Sequence, residues 1–305
     1  MSTEPKVRFK KIGNFSGPYI KGTKSAFKRK PTLDSPHIER AFWLTSMVEC
    51  GGKVGSIMMA DGTGVTASLE QLVAVYPRAL EAQGPLFKML RRLDYVVPVS
   101  YYLPFNTHGW TLGNDGVLRD IENGKPIDPK KIRNVFTPIG GAVEKDGVAW
   151  NHAKVWAIAF HQVFSLDPTI AVQIKYGIEQ FVKFGQRVRS SKLGGKTVEE
   201  LAYKEIENPS SFTDVIGGEV NDLAMCMWWC YKVNGPSPAM RVLKKVFDKY
   251  DRFGPFGAAL IRGLRSSSYG RFGTNRYDNT RAAAMKIWPS ELFEGPNAVM
   301  PERQK

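Results

Sequence analysis

The stretch RGLRSSSYGRFGTNRYD, residues 262 to 278, concentrates chemistry of one kind. It holds four arginines, three consecutive serines, two tyrosines, one phenylalanine and a single acid, Asp278. Arg262, Arg265, Arg271 and Arg276 can each grip a phosphate through two parallel N–H donors, a geometry lysine cannot reproduce. Ser266, Ser267 and Ser268 add short hydroxyl donors. Glycines at 263, 270 and 273 let backbone N–H groups approach an anion closely. Tyr269, Phe272 and Tyr277 offer flat faces on which bases stack, at about 1 to 3 kcal/mol each. Stacking combined with phosphate gripping tolerates any base order, so the chemistry expected here is single-stranded nucleic acid held without base specificity. Lys244 and Lys245 extend the basic run upstream. Lys183, Arg187 and Arg189 form a further cluster near the end of an expected helix.

The charge of the whole chain points the same way. The net charge is +14 over 305 residues. Residues 1 to 30 hold nine Lys/Arg against one acid, a net +8, and residues 232 to 286 hold twelve against three, a net +9. Those two segments sum to +17, so the remaining 220 residues carry −3. A near-neutral body with two basic segments attracts a polyanion, because each neutralised phosphate releases condensed counterions. Residues 199 to 222 carry seven acids against one lysine. The basic front segment has an acidic segment of an adjacent copy to dock on, or that face is simply solvated.

Enzyme signatures are expected to be coincidental. Gly62 to Ala67 fits G-x-G-x-x-A, but no second strand ending in an acid follows, so a hairpin turn is the better reading. Gly194 to Thr197, "GGKT", follows a helix where a phosphate-binding loop follows a strand, and it reads as a helix stop and cap. Cys226 and Cys230 share a helical face with no histidine at zinc spacing. With Cys50 they form no disulfide framework. His152 and His161 are too far apart on one helix for one metal, and His37 and His108 are isolated. Asp94, Asp120, Asp128 and Asp146 sit where caps and turns belong. We expect no catalytic residues, no cofactor, no metal and no small-molecule substrate.

The elements that position these residues follow from periodicity and punctuation. The first 34 residues read as a basic extended arm in which Phe9, Phe15, Tyr19 and Phe27 are interleaved with lysines. Such an arm docks on its own body, on a neighbouring subunit, or on bases. Residues 35–147 are expected to be an α+β lobe. A helix begins after Ser35-Pro36 and ends at Gly51-Gly52. A hairpin turns at Asp61-Gly62. A capping box at Ser68 and Gln71 opens a helix over "LEQLVAVY". Pro77 and Pro85 separate short helices ending near Arg92. "YVVPVSYYL" and the segment from Gly109 to Asp128 read as strand and turn. Residues 148–290 are expected to be a helical lobe with a basic groove. One helix covers "VAWNHAKVWAIAFHQVF", and another starts at Asp167-Pro168 with Ile170, Ile174, Ile178, Phe181 and Val188 on one face. Helices over "EVNDLAMCMWWCYKV", "AMRVLKKVFDKY" and "DNTRAAAMKIW" follow, and 291–305 form a tail. The fold class expected is mainly α, with a small β-hairpin element in the N-terminal half and extended terminal arms. No stretch reaches the length of a membrane span, and no secretory leader is apparent.

Two stretches carry a family resemblance. "MCMWWCYKVNGPSP" (Met225 to Pro238) resembles the Trp-Cys, Asn-Gly and Ser-Pro pattern in coat proteins of flexuous filamentous plant viruses of the potyvirus type. "RAAAMKIWPSELFEG" (Arg281 to Gly295) is similar to that family's C-terminal Met-Lys-Ala-Ala helix and Leu-Phe-Gly ending. Between them, Ser266, Arg271 and Asp278 are residue types that such proteins place around the RNA backbone. The resemblance covers residues 225–295 and implies a mainly helical capsid protein. It would coat single-stranded RNA as a homopolymer joined by terminal arms, within a virion assembled in the host cytoplasm. Nucleoproteins of segmented negative-strand viruses fit the same physics, as rings or helices. The other expectations carried forward are a non-assembling cellular or phage accessory that binds single strands, and a nucleic-acid-processing enzyme holding Mg²⁺ on carboxylates.

Overall fold

A computed structural model describes residues 4–32, 34–76, 82–138, 142–190, 192–193, 196–197 and 282–287. The chain divides into two compact units. The first comprises Met1–Lys28 with Glu49–Gly177, and the second comprises Arg29–Val48 with Ile178–Lys305. This differs from the expected sequential arm and lobes. The opening residues belong to the body of the first unit.

The first unit is mixed α and β rather than mainly α. Its sheet is antiparallel throughout and runs in chain order, β1 (Val7–Ile12), β2 (Phe15–Ile20), β3 (Ile57–Met58), β4 (Thr66–Ala67) and β5 (Leu72–Val73). The expected arm is therefore two strands of this sheet. Residues 7–20 dock on their own body, the first of the three options the sequence left open. β3 and β4 form the expected hairpin. Its loop is tied by Asp61, whose carboxylate accepts from Thr63 N, Thr63 Oγ1 and Thr66 Oγ1.

The helix expected over "LEQLVAVY" is absent. Ser68 and Gln71 have φ of 75° and 55°, left-handed values that no helix start uses. They flank a tight turn that returns the chain, so that Thr66 pairs with Val73 and Ala67 with Leu72. The β-branched Val73 and Val75 fit that pleated, buried edge better than a helix.

β6 (Trp110–Leu112) and β7 (Leu118–Asp120) make the second ribbon, as the Gly-rich segment predicted. "YVVPVSYYL" is not a strand. Asp94 Oδ1 accepts from Val99 N at 2.9 Å, so its carboxylate caps the short helix α3 (Val99–Tyr102), which follows α2 (Leu86–Leu93). α4 (Pro129–Phe136) was not expected as a helix. Asp128 accepts from the backbone N–H of Lys130 and Lys131, with Pro129 in the first turn, the arrangement that suits a helix start.

α5 (Val148–Ser165) matches its sequence expectation and is the central support. It packs against β2 and closes an aromatic core. The Trp156 ring lies 4.8 Å from that of Phe136, and Phe160 meets Phe136 edge-on at 5.4 Å. Phe87, Phe105 and Trp110 complete the core. Each such buried ring contributes about 1.5–3 kcal/mol over exposure. α6 (Asp167–Arg189) follows as expected. Its buried line in the first unit is Thr169, Gln173, Tyr176 and Gly177. Ile170 and Ile174, expected to be inward, are half-buried.

α1 (His37–Cys50), which lies in the second unit as far as Val48, spans the expected residues, and its end is marked by Gly51 and Gly52 at φ 67° and 66°. Phe42 and Phe181 meet edge-to-face at 5.9 Å. Residues 282–284 form a helical turn with Ala283 and Ala284 buried, and Lys30 Nζ donates to Lys286 O at 2.8 Å. β8 (Lys192–Leu193) pairs with β9 (Lys196–Thr197), so Lys196 and Thr197 are strand residues where a helix cap was expected.

Candidate nucleic-acid interface

Residues 6 to 11 read Lys-Val-Arg-Phe-Lys-Lys, with cations and apolar residues alternating until the last position. That period of two sorts side chains to opposite faces of a strand. The turn that follows is only Gly13-Asn14, because Ile12 pairs with Phe15. Gly13 takes φ 59°, and glycine first in a two-residue turn is the order that type II′ hairpins use. The register then places Arg8 opposite Tyr19, Lys10 opposite Gly17 and Phe9 opposite Pro18.

One face of this hairpin is anchored. The Phe9 and Trp150 rings meet at 5.6 Å. Ser16 Oγ donates to Val143 O at 2.6 Å, and Val143 N donates to Ser16 O. β2 is further locked to β3 by close backbone approach. A Cβ on Gly17 would lie 2.5 Å from Met59 O, closer than such atoms come.

β1 is the terminal strand of the sheet order and is left outward. Arg8, Phe9, Lys10 and Lys11 are all exposed. Lys10 Nζ sits over the Tyr19 ring at 5.1 Å, which steadies the ammonium without neutralising it. Burial of the half-buried Tyr19 phenol pushes its pKa up, while Arg8 pulls the other way, so the ring stays neutral at physiological pH. All nine cations of residues 1 to 30 are exposed. Lys24 is paired with Asp167 and Lys30 caps a carbonyl. Among the described residues no carboxylate lies within ion-pair distance of Lys6, Arg8, Lys10, Lys11 or Lys21.

The residues singled out from sequence fall as follows. Lys183 is exposed on α6, and Arg187 and Arg189 lie in the last turns of that helix. Lys244, Lys245, Arg262, Arg265, Ser266, Ser267, Tyr269, Arg271, Phe272, Arg276, Tyr277 and Asp278 lie outside the described residues. The hairpin cations were not singled out. The signal that finds them is the two-residue alternation ending at Gly-Asn.

Other chemistry is sparse. His161 Nδ1 bonds Gly55 O at 2.6 Å and its Nε2 lies 3.5 Å from Ser165 Oγ. That is the edge of hydrogen-bond reach, and the orienting group is a carbonyl rather than a carboxylate. His108 is not isolated. Its ring lies between Trp110 and Trp156, with His152 at 6.5 Å, and burial first, then His152 and Lys131, hold its pKa down. Cys50 is buried with its Sγ donating to Leu69 O, and burial pushes its thiol up to about 12, which disfavours the nucleophilic thiolate. Asp94, Asp120 and Asp128 accept from backbone N–H groups as expected of caps and turns. Among the described residues no cluster of His, Cys, Asp and Glu is arranged to hold a metal ion.

Set beside known proteins, the chain matches no family model, no curated protein and no solved structure.

Proposed function

We propose that this protein coats single-stranded RNA without base specificity and assembles on it as a homopolymer, as a viral-type capsid or nucleocapsid protein does. The observation that carries this reading is the segregation of charge together with its exposure. Two short segments account for more than the whole net charge, and in the described one all nine cations are on the surface. A fold gains nothing in core stability from such a distribution, and like charges so close repel one another. A polyanion offsets that repulsion by counterion release. The resemblance of residues 225–295 to potyvirus-type coat proteins supports the RNA and capsid part of the proposal.

The test is electron microscopy and absorbance of the purified protein, followed by binding to uniform-sequence RNA over a range of salt. We expect rings or filaments with nucleic-acid absorbance at 260 nm. Five phosphate contacts give a log–log salt slope near −3.5, at about 0.7 per phosphate for single strands. Affinity indifferent to salt, or no binding, overturns the reading.

One observation favours a second reading. Residues 7–20 are strands of their own sheet, so they are not a free arm for linking subunits. A monomeric or dimeric accessory that binds single strands fits that placement. Size-exclusion chromatography with and without RNA separates the two: coat proteins form large assemblies on RNA, and accessories do not.

A further inference from the structure

We infer that the face of edge strand β1 bearing Arg8 and Lys10 is itself a phosphate-binding track for single-stranded nucleic acid, with Lys6, Arg8 and Lys10 contacting consecutive phosphates. This rests on the reading above and gives it a site apart from the basic segment at 232–286.

The geometry points to it in three steps. First, Arg8 and Lys10 occupy alternate positions of β1 and so project from one face, and Lys6, directly before the strand, continues the same spacing in sequence. Alternate residues on a strand are about 6.5–7 Å apart, close to the separation of neighbouring phosphates along an extended single strand. Second, the hairpin is rigidly seated. Trp150 holds Phe9, Val143 holds Ser16, and Met59 abuts Gly17, so the cations are fixed on a scaffold before any ligand arrives. Binding then costs less ordering entropy than an unfolded arm would. Third, among the described residues no carboxylate pairs with these cations. Lys10 lies over the Tyr19 ring instead of beside a carboxylate, and Lys21 follows directly after β2, next to where Lys6 precedes β1.

Edge strands also carry lysines for a different reason, to stop sheets of two molecules from pairing. That purpose needs a charge of either sign and no regular spacing. Three cations in register, with a fourth beside them, suit a polyphosphate better.

The experiment compares the wild-type chain with the triple variant Lys6→Gln, Arg8→Gln, Lys10→Gln and with a control, Lys125→Gln with Lys130→Gln, which removes exposed cations elsewhere on the same unit. Each is titrated with a uniform oligouridine and with the matching oligothymidine at several salt concentrations. We expect the triple variant to flatten the salt slope by about 2, at roughly 0.7 per contact. The control should leave the slope within about 0.5 of wild type. Because the three positions are exposed, far-UV circular dichroism should be unchanged. The single Arg8→Gln variant, with an expected flattening of about 0.7, serves if the triple variant does not fold. A wild-type protein that binds neither oligomer defeats the general reading, and this site with it. A wild type that binds, beside a triple variant of equal affinity and slope, overturns this site alone. Aggregation of that variant with unchanged binding assigns the edge cations to keeping sheets apart.

Discussion

The ribbons β1–β2 and β6–β7 are built alike and charged differently. Each is a two-stranded antiparallel hairpin of the first unit with its cations at the surface. In β6–β7 the charges of Asp115, Arg119 and Asp120 each have an internal answer. Arg119 donates to Asp115 Oδ2 at 2.6 Å and to Gly124 O, and Asp120 accepts from the N–H groups of Glu122 and Asn123. Gln83 then stitches the ribbon to the body, donating to Leu118 O and Ile127 O and accepting from Leu118 N. Residues 110–125 hold two cations against three acids. Residues 4–21 hold five cations against one acid, Glu4. Ribbon architecture therefore does not require a basic edge, and among the described residues no carboxylate pairs with Lys6, Arg8 or Lys10.

The largest effect expected comes from detaching one ribbon and not the other. Trp150→Ala removes the ring that seats Phe9 and opens a cavity beside β1. It should cost about 3–5 kcal/mol. Hydrogen exchange should speed up on residues 7–20 while 110–120 stay protected. Equal loss of protection on both ribbons would mean that they do not behave as separate attachments. The same variant should weaken RNA binding, since the cations lose their fixed scaffold.

A smaller effect separates stability of the sheet from charge at its edge. Glu70 lies in the turn between β4 and β5, and burial pushes its carboxyl up to about 8. A pKa raised in the folded state stabilises the protein below the unfolded value of about 4.5, and that contribution is lost as pH rises through 8. Wild type should therefore lose about 1.4 kcal/mol per pH unit relative to Glu70→Gln across that window. Denaturant titrations at pH 5, 6 and 7 measure it. The salt slope of RNA binding should be the same in both proteins, because Glu70 is not at the surface. A parallel pH profile for the two proteins would contradict a neutral buried Glu70.

Long periodic helices were readable from sequence. α1, α5 and α6 announce themselves by apolar spacing, and Pro or Gly marks the end of α1 and the starts of α5 and α6, while α6 stops at Arg189, short of the expected glycines. Short strands were not, because two-residue pairings such as Met58 with Thr66 leave almost no pattern. Ser68 and Gln71 match a capping box, yet both adopt positive φ, since the sheet needed a return turn and the β-branched Val73 and Val75 favoured pleated backbone. "YVVPVSYYL" looked like a strand from its β-branched residues, but Asp94 captured Val99 N and forced a helical turn. The front segment misled in another way. Its glycines and Pro18 broke any helical period, which suggested an arm. Pro18 is instead tolerated inside β2, and Gly17 is the residue that lets β2 approach Met59. The site followed the same rule. Clustered arginines at 262–278 were conspicuous in composition, whereas Lys6, Arg8 and Lys10 become a site only once strand alternation puts them on one side.

The smallest effect expected comes from making β6–β7 resemble β1–β2. Asp115→Asn removes the carboxylate that answers Arg119 and keeps an oxygen to accept from Val117 N, as Asp115 Oδ1 does now. The Arg119 hydrogen bond holds the Asp115 carboxyl below its usual range, so the pair is charged on both sides at neutral pH. The pair is exposed, and exposed pairs contribute little to stability, so the melting temperature should barely move. Arg119 would then stand beside neutral groups, as Arg8 does. If an unanswered cation on a ribbon is sufficient to contact phosphate, the salt slope should steepen by up to about 0.7. An unchanged slope would say that one freed guanidinium is not enough, and that the run of three on β1 matters through its spacing and not merely through its charge.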